Sequence, residues 1–203
     1  MEAKISFPLE WGKLAAAVSY LTERSRNDEH FGFAKLVKML YYADCAAYIR
    51  TGRPITGVTY VHMPHGPYPD DWQAILQRLE DKQAIKILKE YVPKGYWRRR
   101  PVSGGPVAAD ALDEKEQVFL DEQLRRFADF STTQIEEYSQ DELAWHVAQQ
   151  GEAIPYELCG IRRPGPPDEE TIARGRRIAK RIREEGRRVS RVLVERDETL
   201  LRS

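Results

Sequence analysis

Two histidines and two aspartates fall within one short stretch of this chain. His62 and His65 stand in the run His62-Met63-Pro64-His65-Gly66-Pro67-Tyr68-Pro69, and Asp70 and Asp71 follow it. Imidazole nitrogens and carboxylate oxygens are metal ligands, and three or four of them converging would make a hydrolytic centre. The spacing argues for something else. H-x-x-H in a proline-rich turn is not the helical i, i+4 pair that sets two ligands on one face. The same residues shape a turn, because glycine allows close approach and proline fixes φ. The His65 imidazole then bonds a backbone group or Asp44, and a His65–Asp44 pair is the specific expectation. Cys45 has no neighbouring histidine in sequence and lies within a helical pattern, so it reads as a structural thiol. Gly104-Gly105 lacks the Lys-Ser/Thr of a phosphate loop. No spacing among the carboxylates picks out an acid–base pair. These readings point to a protein that is not an enzyme and needs no cofactor. The enzyme alternative is a metal-dependent hydrolase using His62 and His65.

The elements that must carry these residues are mostly helical. Trp11, Leu14, Val18 and Leu21 recur on one helical face over about Leu9–Arg24. Phe33, Leu36, Val37, Leu40, Tyr41 and Tyr48 form a wide apolar stripe over Phe33–Arg50, with Lys35, Lys38 and Arg50 off it. Asp44 falls on that stripe and needs a partner if buried. Gly52 and Pro54 end the helix. Ile55–Val61 reads as a strand, and the three prolines and one glycine of His62–Pro69 forbid regular structure. Asp70 or Asp71 caps a short helix carrying Trp72, Ile75, Leu76 and Leu79. Ile85 to Val92 and Tyr96 to Val102 read as two strands around a turn at Pro93-Lys94-Gly95. Three capping signals follow, Asp113 with Glu116, Ser131 with Gln134 and Ser139 with Glu142. Trp72, Trp97 and Trp145 read as core aromatics.

Arg162-Arg163-Pro164-Gly165-Pro166-Pro167 reads as a linker. Asp168-Glu169-Glu170 then suits the positive end of a helix dipole, and a helix runs from about Thr171 onward. From Arg174 to Arg191 that helix carries nine basic residues against Glu184 and Glu185, a net charge of +7. It has three readings: a solvated surface helix, an arm that binds a protein partner, or a nucleic-acid contact. The whole chain is neutral, with 32 basic and 32 acidic residues, which argues against a uniformly basic nucleic-acid binder. Cys45 and Cys159 make no disulfide scaffold or zinc pair and read as reduced thiols. Leu14–Leu21 is too short to span a bilayer, and the N-terminus lacks the apolar run of a signal peptide. The expectation is a cytoplasmic protein with no membrane contact.

One block has a more specific look. From Phe33 to Pro69 the chain reads K-L-x-K-x-L-Y-x-A-D, then T-G-R-P-I-T-G, then a segment ending in H-G-P. Ser139 and Trp145 lie in a late helix, where Gln140 stands in place of a frequent histidine. These features resemble the Panacea domain, also called the SocA-like antitoxin domain, over about Leu9–Ile161. The resemblance implies a domain found beside unrelated toxins in bacteria and phages, acting by binding and not by catalysis. It implies masking of the toxin's active surface or delivery to a protease. It marks Asp44, Gly52, Gly57, His65, Gly66, Pro67 and Trp145 as structural or interface residues.

The reading that results is mainly α (α+β): a compact helical domain with a small antiparallel β-sheet, plus a C-terminal basic helix. Residues 5–161 form the domain, 162–167 the linker and 168–203 the basic amphipathic tail. The function expected is neutralisation of a cognate toxin encoded by the adjacent gene, with Arg177, Arg181, Arg188 and Arg191 as tail contacts. The alternative partner is DNA, in a regulator of phage or mobile-element genes.

Overall fold

A computed structural model describes residues 7–92, 95–105, 111–161, 168–182 and 184. The fold is mainly helical with two small antiparallel sheets. Helix α1 (Trp11–Arg24) buries Leu14, Val18 and Leu21, the face that its periodicity marks. Helix α2 (Phe33–Thr51) is the centre of the molecule and packs against α1, α4, α5 and β2. Every residue from Lys35 to Cys45 is buried, so α2 has no polar face over three turns. Gly52 stops it, turning left-handed at φ 78° and donating its N–H to Tyr48 O.

The proline-rich run is not irregular. Strands β1 (Tyr60–Met63) and β2 (Gly66–Pro69) pair antiparallel, with Tyr60 opposite Pro69 and His62 opposite Pro67. The expected strand over Ile55–Val61 therefore starts later and continues into the histidine turn. The prolines are tolerated for a geometric reason. Tyr60 and His62 turn their backbone groups away from β2: His62 N–H donates to Glu152 O, and Tyr60 O and His62 O accept from Ile154 and Gly151. Pro67 and Pro69 thus sit opposite residues that ask no ladder bond of them.

Helix α3 (Trp72–Asp81) follows Asp71, which adopts φ 52° and makes no side-chain cap, contrary to the capping role expected of it. Strands β3 (Ile85–Val92) and β4 (Tyr96–Ser103) form the second hairpin, with all eight residue pairs in register. Helices α4 (Glu114–Arg126) and α5 (Thr132–Gln140) open with reciprocal capping boxes from Asp113–Glu116 and Ser131–Gln134. The third such pattern fails. Ser139 lies inside α5, and the short helix α6 (Leu143–Val147) starts at Glu142 with no side-chain cap. A 3-10 turn follows at Tyr156–Leu158. Cys45 and Cys159, expected as reduced thiols, are instead joined, with Cα atoms 5.7 Å apart.

A further helix, α7, spans residues 169–182. Asp168 caps it by accepting from Thr171 N–H at 2.7 Å. It packs on α6: Ala179 is fully buried, and a Cβ at Gly175 would overlap a Val147 methyl. Among the described residues no helix is long and apolar enough to cross a membrane.

Candidate functional site

The sequence motifs resolve into two buried clusters on α2. The first is built on Asp44. Its carboxylate accepts from Thr56 N–H (2.8 Å), Thr56 Oγ1 (2.6 Å) and Tyr60 Oη (2.8 Å). Burial raises its pKa to about 6, and the hydrogen bonds from Thr56 and Tyr60 work in the opposite direction. The expected partner, His65, is not there. Asp44 sits where α2 meets the segment before β1, whose N–H and hydroxyl groups satisfy it locally. Gly52 and Gly57 belong to this joint. Gly57 has φ +68°, and a Cβ there would overlap the Pro8 carbonyl. The Asp44 cluster thus fastens the end of α2 to the N-terminal segment.

The second cluster surrounds the β1–β2 turn. Gly66 (φ +93°) passes between α2 and α5, where an added Cβ would overlap the Ser139 hydroxyl and lie 3.1 Å from Lys38 Nζ. Lys38 is fully buried and donates to Pro67 O at 2.7 Å, and its ammonium lies 5.2 Å from the Tyr68 ring centroid. Among the described residues no carboxylate forms an ion pair with it. Desolvation lowers its pKa to about 7, and the charge of Glu136 opposes that shift. Its neighbour Lys35, also buried, is fully partnered: Asp28 Oδ2 at 2.6 Å, with Ala128 O and Phe130 O. Both lysines were expected on a polar face. The hydrophobic period cannot reveal that a helix is enclosed on all sides, so the sequence gives no signal for Lys38 beyond its place in the K-L-x-K run.

The turn is clamped from α5 and α6. The Trp145 indole stacks on His62 at 4.2 Å between centroids, its Nε1 donates to Met63 O, and His62 Nδ1 lies 2.9 Å from Trp145 O. Gln140, the departure from the motif, donates to Pro64 O at 2.7 Å. His65 is mostly exposed, with Nδ1 3.4 Å from Glu136 Oε2. The two histidines therefore face different partners, and no described group of three His, Cys, Asp or Glu side chains is placed to hold a metal.

Of the tail residues, Arg177 and Arg181 are exposed on α7, beside Arg174, Arg176 and Lys180. Arg188 and Arg191 lie outside the described residues. Sequence reasoning missed one surface feature. Trp97 is not a core aromatic: it is 68% exposed and packs edge-to-face on Tyr91, itself 59% exposed.

Against known proteins, residues 36–146 match the family described as Antitoxin SocA-like, Panacea domain. That span covers more than half of the 203 residues, and the chain belongs to this family. It includes both motif clusters and the β3–β4 hairpin, and stops before α7. No curated protein and no solved structure matches the chain.

Proposed function

We propose that this chain is an antitoxin that binds and neutralises a toxin protein, encoded by the adjacent gene, without catalysis. The family match over residues 36–146 carries the reading. The chemistry of the motif clusters supports it. Lys38, Asp44 and Ser139 are buried and spend their polar atoms on Pro67 O, Thr56, Tyr60 and Glu136 O, so they shape a surface and do not meet a substrate. Residues 5–161 act as the binding domain. Arg177 and Arg181 on α7 assist from the side of α6, and Arg188 and Arg191, later in the basic sequence, are the further contacts.

Co-purification of the adjacent gene product with the full chain tests this. A stable complex is the expected result. The double variant Arg177→Glu/Arg181→Glu should weaken it without unfolding the domain, because both side chains are exposed. The absence of any complex at micromolar concentrations would remove the reading. The row of exposed cations on α7 favours one second reading, repression of its own promoter by phosphate contact. A salt-titrated gel shift tests that: a steep fall in affinity with salt supports it, and no shift at low salt removes it.

A further inference from the structure

The β3–β4 hairpin carries an exposed patch that the motif clusters do not explain. Four residues lie on one strand side in adjacent register: Tyr91 opposite Trp97, and Lys89 opposite Arg99. All four are exposed, and the two rings pack edge-to-face at 5.4 Å. Contiguous exposed apolar surface on a folded protein marks a contact where single exposed residues do not, and the packed rings of Tyr91 and Trp97 make such a surface. The hairpin from Ile85 to Ser103 holds six cations, Lys86, Lys89, Lys94, Arg98, Arg99 and Arg100, against one carboxylate, Glu90, in a chain of zero net charge. Glu90 is taken up by Arg98 at 2.8 Å on the opposite strand side, so no carboxylate shares the side of Tyr91 and Trp97.

The hairpin is also tied to the helices. Arg98 donates to Glu29 O, and Arg100 donates to Ser25 O and Arg26 O, which tie β4 to the α1–α2 connection. Ile85 and Pro101 are buried at its base. Tyr91 and Trp97 thus stand beside two cations on a hairpin whose β4 strand is fastened to the α1–α2 connection.

We propose that Lys89, Tyr91, Trp97 and Arg99 form the docking surface for an acidic face of the toxin, an inference that rests on the antitoxin reading. Trp, Tyr and Arg are the residue types that dominate protein–protein hot spots, and surrounding cations steer and select an acidic partner. A protein fits this surface better than a nucleic acid. The rings close on each other edge-to-face and do not stand apart as parallel platforms for bases.

The test uses the full chain and the purified adjacent gene product, with affinity measured by isothermal titration. Trp97→Ala should weaken binding at least about 30-fold, as truncation of a hot-spot residue does. Lys89→Glu/Arg99→Glu should weaken it and slow association. Both variants should keep the wild-type unfolding midpoint, since the side chains are exposed. Wild-type affinity in both variants would overturn the inference and leave the antitoxin reading standing. No binding by the unaltered chain would remove both. Binding of single-stranded DNA that Trp97→Ala abolishes, with toxin affinity unchanged, would overturn it in favour of nucleic acid.

Discussion

Replacing Lys38 with methionine removes a buried amine while keeping a long unbranched side chain in its place. The folded protein holds the Lys38 pKa near 7, against 10.5 for a free lysine side chain. Between those values the unfolded chain binds a proton that the folded chain does not. Stability must therefore rise with pH across that window, and the burial penalty is fully present below it. From about pH 7 to about pH 9.5 the expected gain is about 3 kcal/mol, at 1.36 kcal/mol per pKa unit. The window stops there because burial pushes the Tyr60 and Tyr156 hydroxyls well above 10, so both destabilise the fold once the unfolded tyrosines ionise. The assay is urea unfolding of wild type and Lys38→Met at both pH values. Subtracting the two curves cancels the groups they share. The wild type should gain about 3 kcal/mol relative to the variant. Parallel pH dependence in the two proteins would refute the placement of a buried amine under the His65-Gly66-Pro67 turn.

Asp44 gives the complementary trend. Its raised pKa means that stability is greatest below about 4 and is lost as pH rises through 6, so wild type should lose about 2 kcal/mol relative to Asp44→Asn between about pH 4 and about pH 6.5. A flat difference in urea midpoints would show that Asp44 is not enclosed. Gly66→Ala should destabilise the domain by about 2–3 kcal/mol, from the positive φ and the overlap with Ser139. A loss smaller than about 0.5 kcal/mol would mean that the turn does not pass between α2 and α5. Gly175→Val should release α7 from Val147, seen as lost amide protection over residues 169–182 with the α2 amides unchanged. Retained protection there would contradict the docking of the tail helix.

Much of the fold was legible because its signals are local. Asp113–Glu116 and Ser131–Gln134 act as written, since a capping box needs only residues one turn apart. Ser139–Glu142 has a similar spacing and fails, because Ser139 is buried inside α5 against Gly66, a contact no local rule contains. The prolines of β2 misled for a related reason. Proline excludes a strand only where the ladder asks for an N–H, and that depends on register with β1. Lys35 and Lys38 looked solvated because period alone cannot count how many neighbours enclose a helix. Trp97 looked buried on general tendency and lies at a hairpin tip. The motif residues Asp44, Gly52, Gly57, Gly66, Pro67 and Trp145 were found by resemblance. Their roles, and the partner Lys38, became visible only in three dimensions.

The central claim is that this chain neutralises a toxin by binding it. The most direct measurement is growth of cells that express the adjacent gene product alone, with the full chain, or with a chain ending at Arg163. Arrest by the neighbour alone and recovery with the full chain is the predicted result. Recovery with the shortened chain would assign the contact to the domain and its β3–β4 hairpin, and recovery with the full chain alone would assign it to the tail. A harmless neighbour, or arrest that neither chain relieves, would contradict the account.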